Sequence, residues 1–162
     1  MEQFLPVSIG FGLAVSLLFS ELFGLAAGGM VVPGYLALHL ARPLDVTITM
    51  AAGVITYLIV HMLSLTIIIF GRRRTVIMIL VGYLIGMSLG PTLIPLLQEV
   101  VTKATPKLVT YGDMRIIGYI IPGLIAIWID RQGIVETITA SITAAVVVRL
   151  LLIMIFGMEL PG

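Results

Sequence analysis

Apolar residues in this chain do not alternate with polar ones; they run together. Apolar segments fall at about 4–23, 25–41, 46–70, 75–97, 116–130 and 134–158, with short polar or charged stretches between them. A bilayer-spanning helix needs about 20 such residues. Four segments reach that length, and the second and fifth are shorter. The two short ones carry the same punctuation. Gly29-Met30-Val31-Val32-Pro33-Gly34-Tyr35-Leu36-Ala37 and Gly118-Tyr119-Ile120-Ile121-Pro122-Gly123-Leu124-Ile125-Ala126 both read Gly, three apolar residues, Pro-Gly, two apolar residues, Ala. The register continues through Arg42 with Arg131, Val46 with Val135 and Ala51 with Ala140, each pair 89 positions apart. The pattern predicts an all-α integral membrane protein. A single transmembrane domain over 1–162 would hold two internal repeats, about 4–70 and 75–158. Each would be a helix, a Pro-Gly-broken helix and a helix.

Proline removes a backbone donor and clashes with the preceding turn, and glycine frees the backbone. In a bilayer the released polar groups must be satisfied by protein or by a wet cavity. Broken apolar segments at matching positions of two halves point to a transport-type site. The alternative for Pro33, Gly34, Pro122 and Gly123 is a kink that neighbouring helices cover. Two further glycine patterns, Gly82, Gly86, Gly90 and Gly24, Gly28, have the four-residue spacing of a close helix contact. Residues 98–113 are the long polar stretch and are expected to be a connection.

Charge bears on topology. Arg72-Arg73-Arg74 is the strongest orientation signal and is expected on the cytoplasmic side. If the Pro-Gly segments span, the halves are inverted and both termini lie outside. Arg131 then joins Arg72–Arg74, and Arg42, Lys103, Lys107 and Arg115 lie opposite. If the segments re-enter, the halves are parallel and all five of those cations lie outside. Spanning fits the charge rule slightly better.

Composition agrees with a membrane class. The 162 residues are 60% hydrophobic and 10% charged, with a mean hydropathy of +1.21, against about 25% charged in a soluble domain. No basic residue precedes the first apolar run, so 4–20 reads as a retained helix rather than a signal peptide. Net charge is +1 and suggests no nucleic-acid partner. No cysteine is present, which excludes disulfides and thiolate chemistry. The phosphate-cradling, dinucleotide, His-Glu-x-x-His and nucleophile-elbow motifs are missing. The chain is therefore not expected to be catalytic alone, and no cofactor is expected in it.

The polar groups inside apolar segments carry the remaining chemistry. Arg149 lies in Val-Val-Val-Arg-Leu-Leu-Leu, where an arginine costs about 2.5–3.5 kcal/mol on insertion scales. It either faces a partner or wet cavity, or snorkels to an interface. His61 lies in Leu-Ile-Val-His-Met-Leu, at nearly the depth of Arg149 under the 89-residue offset. Arg42 and Arg131 close the two Pro-Gly segments, and Arg115 opens the second. Arg42, His61, Arg115, Arg131 and Arg149 are the set available to an anionic ligand.

Several stretches together resemble the PgsC/CapC family, the small membrane subunit of bacterial poly-γ-glutamate synthesis complexes. They are Val31-Val32-Pro33-Gly34-Tyr35-Leu36, Gly71-Arg72-Arg73-Arg74, Arg115 with Gly118 and Ile120-Ile121-Pro122-Gly123-Leu124-Ile125-Ala126, Phe19-Ser20-Glu21 and Gln132-Gly133. The resemblance implies a multi-pass protein of the bacterial cell (inner) membrane. It implies a PgsB/CapB-type amide ligase partner carrying ATP and Mg, and a PgsA/CapA-type accessory protein. On this expectation the subunit anchors the ligase, with Arg72, Arg73 and Arg74 as docking residues. It also conducts the polyanionic poly-γ-glutamate chain past the five cations. The residues themselves also allow a free-standing anion transporter or channel, or a purely structural anchor. Oligomeric state stays open.

Overall fold

The structure is a computed structural model that describes residues 5–66, 71–104 and 117–156. It contains six helices: α1 (Leu5–Phe23), α2 (Val32–His39), α3 (Pro43–Thr66), α4 (Arg72–Ala104), α5 (Ile121–Gln132) and α6 (Ile134–Phe156). No strand occurs among the described residues. Among the described residues, three stretches are long and apolar enough to cross a membrane: Pro6–Phe23, Pro43–Leu65 and Ile134–Ile155, with mean hydropathies of 1.7, 1.9 and 2.4. Their outward faces carry large apolar side chains such as Leu17, Leu58, Met62, Leu150 and Met154. The expected polar connection begins later than its composition suggests, because α4 continues to Ala104. Gln98, Glu99 and Lys103 are good helix formers, so polarity alone does not end the helix.

The Pro-Gly pairs start helices rather than kink them. Pro33 and Pro122 sit in the first turns of α2 and α5, where a missing N–H costs nothing. The two starts have nearly the same geometry. Val31 has φ −93° and ψ −30°, and Ile120 has φ −88° and ψ −25°. Tyr35 N–H donates to Val31 O at 3.3 Å, and Leu124 N–H to Ile120 O at 3.1 Å. Residues 24–31 and 117–120 before them are not helical. Gly24 and Gly28 therefore form no helix face; both have positive φ, 65° and 72°.

Each non-helical stretch and its short helix run back along a long helix. Gly34 packs on Ser8 and Ile9 of α1, with Gly12 against it. Gly123 packs on Met78 and Ile79 of α4, with Gly82 against it. Gly29 lies beside Ser16, whose Oγ donates to Gly29 O at 3.4 Å, and Asp130 lies beside Arg74. Both return paths are thus antiparallel to the helix before them. Ser8 Oγ donates to Gly34 O within α2 at 2.7 Å, and in the irregular stretches Ile117 N–H donates to Thr49 Oγ1 at 3.0 Å. Gln132 takes the Ala26 N–H on Oε1 at 3.0 Å and donates to Ala26 O at 2.6 Å. Irregular backbone in a bilayer needs such partners from the protein.

Packing crosses between the chain's two parts. Val15 of α1, Ala27 of the stretch after it and Ala37 of α2 form one cluster with Ala144, Val148 and Leu152 of α6. Met78 of α4 and Ile127 of α5 form another with Val60 of α3. Between them, Val32, Leu36, Val46, Met50, Ile117, Ile121, Ile125, Ile129 and Ala145 fill the centre.

The third helices depart from the expected register. The buried positions of α3 include Asp45, Thr49, Ala52, Thr56 and Val60, and those of α6 include Thr137, Ser141, Ala144, Val148 and Leu152. These pairs stand 92 positions apart (137 − 45, and likewise for the others), not the 89 of the Pro-Gly motifs. The cause is α5. It has 12 residues against 8 in α2, while the connection to the next helix shortens from residues 40–42 to Gly133 alone, so α6 begins two positions later after its Pro-Gly helix start than α3 does (134 − 121 against 43 − 32). Val46 is buried and Val135 exposed, and Ala51 is exposed and Ala140 buried, so these 89-apart pairs do not share a face.

Candidate functional site

At one end of the bundle a cavity of about 390 Å³ opens between α4 and α5, lined by Gly71, Arg72, Arg74, Thr75, Met78, Ile127, Asp130 and Arg131. The antiparallel return of α5 makes it. The start of α4 delivers Arg72 and Arg74, and the last turn of α5 delivers Asp130 and Arg131. Gly133, at φ 102°, then ends α5 with its N–H on Ile129 O at 3.0 Å. Met78 and Ile127 supply the apolar wall.

The pocket is electropositive. Three guanidiniums face one carboxylate, and the first turn of α4 holds no acid. Cations at a helix N-terminus oppose the helix dipole, so helix stability does not account for this arrangement. Arg74 Nη2 donates to Asp130 Oδ1 at 2.5 Å, with each side chain 24% exposed. Arg74 Nε is buried without a partner among the described residues. Arg131 is exposed, with its guanidinium carbon 5.3 Å from the Trp128 ring centroid. Arg72 and Arg73 are exposed. Such a set can take an anion by charge-assisted, forked hydrogen bonds.

The structure brings together Arg72, Arg74 and Arg131, which the sequence assigned to two different tasks. The other expected path residues lie elsewhere. Arg42 is half-buried just before α3, its carbonyl accepting the Asp45 N–H at 3.1 Å. Because α3's 24 residues span about 36 Å and lead into α4, Arg42 lies at the opposite end from Arg131. His61 is exposed on the outward face of α3, stacked on Tyr57 at 5.6 Å. Arg149 is half-buried on α6, its Nη1 buried with no hydrogen-bond partner. His61 and Arg149 thus differ in exposure. Arg115 lies outside the described residues. Pro33, Gly34, Pro122 and Gly123 are all buried, as helix starts rather than as the walls of this pocket. Asp130 went unseen in the sequence, although an acid in Trp128-Ile129-Asp130-Arg131 is costly in apolar surroundings unless paired.

The model of the family described as capsule biosynthesis CapC matches residues 11–138. That is most of the chain. The chain belongs to the CapC family. Among similar proteins, the PGA biosynthesis protein CapC of Bacillus subtilis (strain 168) is 31% identical over 139 residues, covering 85% of this chain and 86% of that protein. The capsule biosynthesis protein CapC of Bacillus anthracis is 33% identical over 139 residues, with the same coverage. No solved structure matches the chain. The CapC match takes in both Pro-Gly motifs, the arginine turn and the whole pocket, and stops before Arg149.

Proposed function

We propose that this CapC-family chain is the membrane subunit of a system that makes and exports a poly-γ-glutamate capsule polymer. It anchors an ATP-dependent amide ligase through Arg72 and Arg73 and receives the ligase's acidic product at the basic pocket. An accessory protein of the CapA type acts on the far side. The chain forms one inner-membrane domain of two repeated halves, inverted to one another, with the arginine end in the cytoplasm. Arg131 lies at the entrance of the path, Arg42 toward its exit, and Arg149 between.

The observation that carries this reading is the convergence of Arg72, Arg74 and Arg131 around one cavity. A polymer with one carboxylate per residue is charged near neutral pH and cannot enter hydrocarbon unpaired. It needs cationic groups that bind it and then let it go, as in other multi-site pores. A second reading, a purely structural anchor, is favoured by the apolar filling between α2, α3, α5 and α6. Two variants separate them. Arg72→Gln with Arg73→Gln is expected to lose ligase co-purification from detergent-solubilised membranes. Arg131→Gln is expected to lower secreted polymer several-fold while the ligase's ATP turnover stays near normal. Normal secretion from a stably inserted Arg131→Gln chain would leave the anchor reading standing.

A further inference from the structure

The basic pocket already contains one carboxylate, and it is the chain's own. Asp130 reaches in from α5 and occupies Arg74, while Arg72 and Arg131 line the same cavity with no ion pair of their own among the described residues. The Arg74 fork is only partly used: Nη2 is engaged and Nε is buried without a partner. A guanidinium offers its Nε and Nη edge to both oxygens of one carboxylate, so the Asp130 contact is less than this arginine can make. The cavity volume of about 390 Å³ falls within the range of small-molecule sites.

We propose that Asp130 is a resident competitor: a tethered carboxylate that an incoming acidic chain must displace from Arg74, and that returns to Arg74 to release it. This rests on reading the pocket as the entry site for a chain of γ-linked glutamate. Such a chain offers the same functional group as Asp130, one carboxylate after another. Without Asp130, three cations and a helix N-terminus would hold each carboxylate tightly, and a site that must pass a polymer on needs weak, reversible binding. With Asp130, every arrival is an exchange of one carboxylate for another on Arg74. Asp130 is a positioning residue that sets the release rate; it joins in no bond-making step.

The test uses the full chain in phosphatidylcholine nanodiscs, where no anionic headgroup competes, and a fluorescent γ-linked glutamate oligomer at fixed salt. Wild type is expected to bind it weakly, and less as salt rises. Asp130→Asn is expected to bind about tenfold tighter through slower release, as loss of one partly screened opposing charge implies. Its melting temperature should fall, because an ion pair is gone. A purely structural role moves affinity and stability in the same direction; the proposal moves them in opposite directions. Asp130→Ser carries the same expectation if the Asn chain does not fold. Adding Arg74→Gln should abolish the tightening. No oligomer binding by any form sinks the acidic-chain reading of the pocket, and this inference with it. Wild-type binding with unchanged or weaker binding by both neutral variants overturns the role of Asp130 alone. Tightening that persists without Arg74 overturns the exchange and leaves a simple charge effect.

Discussion

At the scale of single residues, the most consequential side chain outside the pocket is Gln132. Its amide accepts from and donates to Ala26, 106 positions away, and also donates to Thr137 Oγ1 at 3.2 Å. It acts toward the irregular stretch after α1 as a neighbouring strand would toward a sheet edge. Gln132→Leu is expected to leave the Ala26 N–H and C=O unsatisfied and cost about 1–3 kcal/mol, read as a lower melting temperature in detergent. Gln132→Glu keeps the acceptor for Ala26 N–H but sets a carboxylate oxygen against Ala26 O, now reached by the amide at 2.6 Å, and is expected to cost at least as much. The arginines were legible from sequence because charge next to hydrocarbon is expensive and stands out. Gln132 and Asp130 were not. Each is defined by a distant partner, the Ala26 backbone or the Arg74 side chain, and no local pattern encodes that distance.

At the scale of elements, the glycines decide how closely the return segments approach. A Cβ on Gly12 would stand 2.6 Å from Gly34 N, and one on Gly82 would stand 2.5 Å from Gly123 N and Cα. Backbone cannot yield as a side-chain tip can, so Gly12→Ala and Gly82→Ala are each expected to cost about 1–3 kcal/mol. Gly10 lies one turn-half away on α1 with nothing within 4 Å. There Ala removes helix-opposing freedom, and Gly10→Ala is expected to gain about 0.5–1 kcal/mol. Denaturant titration of the three variants in one detergent checks both signs. The Gly82–Gly86 face was readable from its spacing, and it does receive the second return segment at Gly123 and Tyr119. Its counterpart in α1 was not readable. The approach there rests on Gly12, with Ser8 and Ser16 one turn to either side, a mixture that no single-residue pattern picks out. The extra turn of α5 was equally hidden, because Arg131 and Gln132 look like a flank rather than like helix.

At the scale of the whole molecule, the antiparallel returns set which groups share an end. Arg73 and Arg131 belong to one end and Arg42 to the other. Since the chain has no cysteine, single replacements report on this directly. Arg73→Cys and Arg131→Cys are expected to react with an impermeant maleimide only in inside-out vesicles, and Arg42→Cys only in right-side-out ones. Reaction of Arg42→Cys and Arg131→Cys from the same side would reverse the topology argued above. The crossed packing also bears on how the molecule is made. Val15, Ala27 and Ala37 are covered by Ala144, Val148 and Leu152, on the helix that leaves the ribosome more than a hundred residues later. During synthesis α1 and α2 therefore enter the bilayer with their inner flank facing lipid or an insertase, and the order of translation is not the order of assembly.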